Sequence, residues 1–140
     1  MNRLFIVMTM GFLALSAGAS AGVDWEHDYD AALAKAKTDH KLVLVDVYTD
    51  WCGWCKRLDR DTYSDKDVEA RVTKDFIAVK VNPETSQRSA ALARDFGTTG
   101  YPHIVFVNAD GKKVSEIRGY LPADQFLAHL KTISETATKK

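Results

Sequence analysis

The chain has 140 residues, 46% of them apolar and 27% charged, with eight glycines, three prolines and two cysteines. That composition predicts one globular domain with a core of useful size and excludes collagen-like, coiled-coil and disordered architectures. Nineteen basic residues balance nineteen acidic ones without any long basic block, which removes the electrostatic footprint of a nucleic-acid binder.

Residues 1–21 stand apart from that domain. Met1, Asn2 and Arg3 make a short positive start, Leu4 to Leu15 is apolar apart from Thr9 and Gly11, and Ala19-Ser20-Ala21 offers small residues for cleavage. This is the pattern of a secretory signal peptide, leaving residues 22–140 as the exported domain. The apolar run, as a helix, reaches only about 18 Å against a hydrocarbon layer of roughly 30 Å, so a spanning anchor is the weaker reading. No cysteine follows the expected cut, and a lipid anchor by that route is not supported.

The remainder alternates helix and strand. Tyr29, Ala32, Leu33 and Ala36 recur with the period of one helical face, predicting an amphipathic helix that ends near Asp39-His40. Leu42 to Tyr48 is a β-branched run with almost no polar relief, the composition of a strand buried on both faces. Trp51-Cys52-Gly53-Trp54-Cys55 follows and leads into Lys56-Arg57-Leu58-Asp59-Arg60, which carries no helix breaker. Cys52 therefore lies where strand passes to helix. Ser64-Asp65 can cap a short helix through Val68, Ala70 and Val72, and Phe76 to Val81 is a second apolar strand ended by Asn82-Pro83. Thr85 or Ser86 opens another helix through Ala91, Leu92 and Phe96, with Gly97 suited to a left-handed cap. Pro102 introduces a strand from Ile104 to Val107, and Asn108-Ala109-Asp110-Gly111 turns into Val114 to Arg118 as a hairpin. Pro122 begins a last helix with Phe126, Leu127, Leu130 and Ile133 on one face, after which the polar tail from Thr136 is expected to fray. The whole reads as one α/β domain, a central mixed sheet flanked by helices on both faces. Trp25, Tyr29, Tyr48 and Phe106 are expected in or near its core.

Export changes how the cysteines are read, because disulfides persist outside the cytosol. A bridge closing four residues gives only roughly 2 kcal/mol in chain-entropy bookkeeping, against nearly 5 for a hundred-residue loop, so a structural staple is a poor use of this pair. Structural zinc takes four ligands, and His27, His40, His103 and His129 show no second close ligand pair. No metal or other cofactor is expected, and a redox dithiol is the preferred reading.

Trp-Cys-Gly-x-Cys-Lys at a strand-to-helix junction, an acid six positions before the first cysteine, a lysine ending the next strand and Gly100-Tyr101-Pro102 before a hairpin together resemble the thioredoxin family. The resemblance covers nearly all of residues 25 to 135 and implies a thioredoxin-like fold. With Tyr63-Ser64-Asp65 added, the segment looks most like exported thioredoxin-like proteins related to the C-terminal domain of the bacterial membrane thiol:disulfide interchange reductase, which implies a periplasmic location.

Chemistry gives each residue a role. A helix N-terminus lowers a cysteine pKa, so Cys52 is the expected nucleophile, accessible at the surface, and Cys55, one turn later, is the buried resolving sulfur. Asp46 sits in an apolar strand, where desolvation raises a carboxyl pKa and suits it to take the Cys55 proton; the alternative is a strand-end carboxylate paired with a surface lysine. The resemblance implies that Lys80 neighbours that acid, the other reading being an ordinary edge lysine. It also implies that Pro102 is a cis-proline, leaving the Tyr101 backbone free to bond an extended partner; a trans proline opening a strand is the alternative. His103 could tune Cys52 or be a solvated strand histidine. Trp51 and Trp54, beside Gly53, are candidate docking surface, although Trp54 replaces the proline of thioredoxin proper and leaves the direction of electron flow open.

The expected function is an exported protein-disulfide reductase, with a disulfide-forming oxidant and a Cu(I) carrier as alternatives; a redox-inactive binding domain is disfavoured by the retained Cys52, Cys55 and Asp46. No nicotinamide fingerprint occurs, so electrons must come from a partner. The resemblance suggests a membrane thiol carrier as donor and oxidised secreted proteins as substrates. Isomerases of this family usually carry a dimerisation module, for which there is no room, and a monomer is expected.

Overall fold

The computed structural model describes residues 22–139; the expected signal peptide, 1–21, lies outside the described residues. The chain runs β1 (Trp25–Glu26), α1 (Tyr29–Asp39), β2 (Leu42–Val47), α2 (Gly53–Asp61), α3 (Lys66–Asp75), β3 (Phe76–Val81), α4 (Gln87–Asp95), β4 (His103–Val107), β5 (Lys113–Arg118) and α5 (Ala123–Thr138). Local chemistry sets most boundaries. Asp28, Asp65 and Ser86 each accept a backbone N–H as N-caps, satisfying donors that a helix start leaves unpaired. Gly97 ends α4 at φ 72°, the left-handed position that glycine occupies without a Cβ clash.

The five strands form one sheet in the order β1-β3-β2-β4-β5. β2 lies parallel to β3 and antiparallel to β4, and the β4–β5 hairpin closes the far edge. Strand alternation divides the core into two layers. Val43, Val45, Val47, Val105 and Val107 pack on one face with Ala32 and Ala36 of α1, Leu92 of α4 and Phe96 at the C-cap of α4. Leu44, Ile104 and Phe106 pack on the other with Leu58, Val68, Val72, Phe126 and Leu130 of α2, α3 and α5. Phe106 and Phe126 are fully buried, and truncating either to alanine costs about 3–5 kcal/mol in such a setting.

Two features depart from expectation. β1 is two residues long, too short to show an alternating pattern, and exists because it pairs with the open edge of β3 at Ala78 and Val79. α5 continues through Thr138 rather than fraying from Thr136, with Thr132, Ser134, Thr136 and Thr138 hydroxyls each bonding the carbonyl four residues back.

Candidate active site

Cys52 is the N-cap of α2. Its sulfur accepts the Cys55 backbone N–H at 3.1 Å, so the atom expected to react also satisfies a helix donor that would otherwise be unpaired. Cys52 and Cys55 are joined in a disulfide, as their i, i+3 spacing on one helix permits. Cys52 is the outer of the two, but at 6% exposure against 2% for Cys55 it is less accessible than expected. The disulfide turns its sulfur inward toward Cys55. Around it the surface is aromatic: Trp51 and Trp54 are 66% and 55% exposed, and a Cβ placed on Gly53 would meet nothing within 4 Å.

The buried side of the site is charged. Asp46, in β2, is 1% exposed and stands opposite Lys80 in the parallel β2–β3 register. Lys80 Nζ lies 2.7 Å from Asp46 Oδ2 and 2.6 Å from Asp59 Oδ1. Asp59 belongs to α2, four residues after Cys55 and hence on the same helix face. A lysine with a side chain 10% exposed is no edge lysine, and Asp46 is not a strand-end carboxylate at the surface. Trp25 and Tyr48 do more than pack: with Tyr63 they set three rings 4.8 to 5.3 Å from the ammonium, a cation–π environment that favours the charged lysine.

Burial pushes the Asp46 carboxyl above its ordinary range, and the Lys80 charge and hydrogen bond offset this only in part. For Lys80, burial works against the charge, but Asp46 and Asp59 more than compensate and its pKa is raised. Tyr63 is driven well above a normal phenol by burial, then by the Asp46 and Asp59 charges. Neither Asp46 Oδ1 nor the Tyr63 hydroxyl has a partner within hydrogen-bond geometry among the described residues, although the two groups lie near enough that the phenol adds a small downward pull on the Asp46 carboxyl. A buried carboxylate with one unpaired oxygen is held in a state that a proton relieves.

The third part is the Tyr101–Pro102 peptide, which is cis. Trp51 meets Tyr101 edge to face and donates its indole N–H to Glu84 at 2.9 Å. Trp54 packs at a tilt against Tyr120, and the Arg57 guanidinium lies 5.3 and 5.0 Å from the two rings. Trp54, Tyr101, Pro102, Gly119 and Tyr120 line a cleft beside the cysteines.

His103 follows neither expectation. Its face of β4 is that of Val105 and Val107, whereas Asp46 shares a face with Leu44, so the ring lies across the sheet from α2. It is buried rather than solvated, with Nδ1 2.8 Å from Thr98 Oγ1 and Nε2 2.8 Å from Glu116 Oε2. Asp59, Tyr63, Glu84, Arg57 and Tyr120 are site residues missed in the sequence. Asp59 had a readable signal in its four-residue spacing from Cys55, and Tyr63 in the Tyr63-Ser64-Asp65 motif; the other three had none.

A cysteine pair at a helix start on a sheet of this order, with a cis-proline beside it, defines the thioredoxin-like thiol:disulfide oxidoreductases. A family model described as a thioredoxin-like domain matches residues 29–134, and the chain belongs to that family. The thiol:disulfide interchange protein DsbD of Klebsiella pneumoniae is 36% identical over 107 residues, covering 74% of this chain and 17% of that protein. The chain thus spans under a fifth of that relative's length. Among solved structures, the C-terminal domain of Neisseria meningitidis DsbD in the oxidised form has a TM-score of 0.65 at 27% identity, covering 78% of this chain and 98% of that one. DsbH oxidoreductase has a TM-score of 0.73 over 91% of this chain and 95% of its own, and at 22% identity shares the fold.

Proposed function

We propose that this protein is an exported, periplasmic reductant of protein disulfides. The observation that carries the reading is the Cys52 sulfur at the start of α2, backed by the buried Asp46–Lys80–Asp59 charges. In the reduced protein the Cys52 thiolate, favoured by the helix N-terminus, attacks one sulfur of a partner cystine. A Cys52–partner disulfide forms and the partner's other sulfur leaves as a thiolate. The Cys55 thiol passes its proton to Asp46 and attacks the Cys52 sulfur, so that the partner's remaining sulfur is released. Two electrons have moved to the partner, and Cys52–Cys55 is the disulfide that remains. Lys80 lowers the cost of a charged Asp46, and Asp59, half-exposed, links the pair to solvent as a route for the proton.

Trp51, Gly53, Trp54 and the Tyr101-Pro102 turn form the docking surface, with Tyr101 backbone groups meeting an extended partner segment. A dithiol carrier in the membrane returns the electrons; the likeness to DsbD supports that partner class. Turnover of insulin disulfides with a chemical dithiol donor tests the reading, and no turnover would overturn it. Direction is read from the reduction potential: a value below about −200 mV fits a reductant, and one near −120 mV would make the protein an oxidant. Mass spectrometry of the exported protein checks for a first residue at Gly22.

A further inference from the structure

The segment from Gly97 to Pro102 joins α4 to β4 and ends in the cis-peptide turn. Its start is fixed by backbone bonds from Gly97 N–H to Arg94 and from Thr98 N–H to Ala93, and its end by Gly119 N–H to Pro102 C=O. Among the described residues, no backbone–backbone hydrogen bond involves Thr99, Gly100 or Tyr101. Those groups are free to meet another chain, but nothing in the main chain holds them in place.

Side chains from β4 and β5 do that instead. His103, next to Pro102, bonds Thr98 through Nδ1 and Glu116 through Nε2, both at 2.8 Å. A carboxylate can only accept, so Nε2 carries the proton, and in the neutral ring Nδ1 accepts from the Thr98 hydroxyl. Glu116 also binds Lys113 and Arg118, and Arg118 reaches back to Gly97 C=O at 3.2 Å and Thr99 Oγ1 at 3.5 Å. The network therefore closes on the loop from both ends.

We propose that His103, together with Thr98, Glu116 and Arg118, is a positioning clamp that holds the Tyr101 backbone ready for a partner chain. It rests on the reading of Tyr101 as a partner-binding residue and acts on the loop, with no direct effect on the cysteines. The ring's chemistry agrees: burial, only partly opposed by Glu116, holds the His103 pKa below its ordinary value, so the neutral form that can accept from Thr98 persists.

Because replacing a fully buried histidine also opens a cavity, the half-buried Thr98 carries the test. In T98V the hydroxyl donor is lost at nearly constant shape, while T98S keeps it. With insulin as substrate, T98V is expected to raise KM about fivefold, the size of one net hydrogen bond, with kcat little changed. Reaction with a small aromatic disulfide, which needs no loop contact, is expected to match the wild type, and T98S to restore KM. An unchanged KM in T98V, an equal loss with the small disulfide, or failure of T98S to restore binding overturns the clamp. Backbone order parameters of Gly100 and Tyr101 read it without turnover: lower values in T98V support it and unchanged values overturn it. If the wild type fails to reduce insulin, the functional reading falls, and the order parameters still decide the clamp.

Discussion

Two buried polar side chains flank the β2–β4 seam one residue apart in register, on opposite faces of the sheet, and they are treated in opposite ways. Asp46 opposes Ile104 and His103 opposes Val47, so alternation sends one toward α2 and the other toward α4. His103 has both ring nitrogens bonded, whereas Asp46 keeps one oxygen unpaired and a carboxyl pushed upward by burial. Full satisfaction fixes a geometry; incomplete satisfaction leaves a group ready to change its protonation. Under the proposed function, the first would serve as scaffold for the docking loop and the second as acceptor of the Cys55 proton.

The contrast can be broken first at the cysteines. C52A is expected to abolish disulfide turnover, by about a thousandfold or more, while C55A retains the attack and accumulates a Cys52-linked partner recoverable from non-reducing gels of the exported fraction. Next, D46N is expected to slow the resolving step about a hundredfold at neutral pH and leave the initial attack within about threefold, measured by single-turnover kinetics; equal slowing of both steps would remove its role. The same variant carries a stability signature. Asp46 has a raised native pKa, so the unfolded chain loses its proton first and stability falls as pH rises from 3.8 through the native value. D46N is expected to flatten that slope in denaturant titrations.

Glu116 predicts the opposite sign. Hydrogen bonds from His103, then Lys113, pull its carboxyl down to about 2 from 4.5, so its contribution is complete above 4.5 and lost as pH falls toward the native value. E116Q is expected to remove an acid-side loss of about 1 kcal/mol, kept small by solvent screening. The smallest effect is expected from W54A: a few-fold rise in KM, with stability within about 0.5 kcal/mol because the indole is mainly exposed.

Sequence patterns made the central helices and strands readable because each carries a local signal: a cap at Asp65 or Ser86, a glycine at 97, an apolar run at Phe76 to Val81. The position of the cysteines at a helix start was legible for the same reason. What resisted was register. A slip of one residue between β2 and β4 would send the His103 ring to the cysteine side, and nothing in the local sequence fixes that pairing. Asp59, Tyr63 and Trp25 meet around Lys80 only once α2, the turn after it and the short β1 have packed, so their chemistry belongs to tertiary structure rather than to any window of sequence.

The margins of the sheet carry one last consequence. β1 offers a neighbour only two residues of ladder, and β5, at the other margin, presents Lys113, Glu116 and Arg118 along its length. Short or charged borders discourage accidental strand addition and the fibrous stacking that follows from it. Under the proposed function, a protein that takes an extended segment of its substrate at the Tyr101-Pro102 turn would be kept by those borders from pairing with it anywhere else.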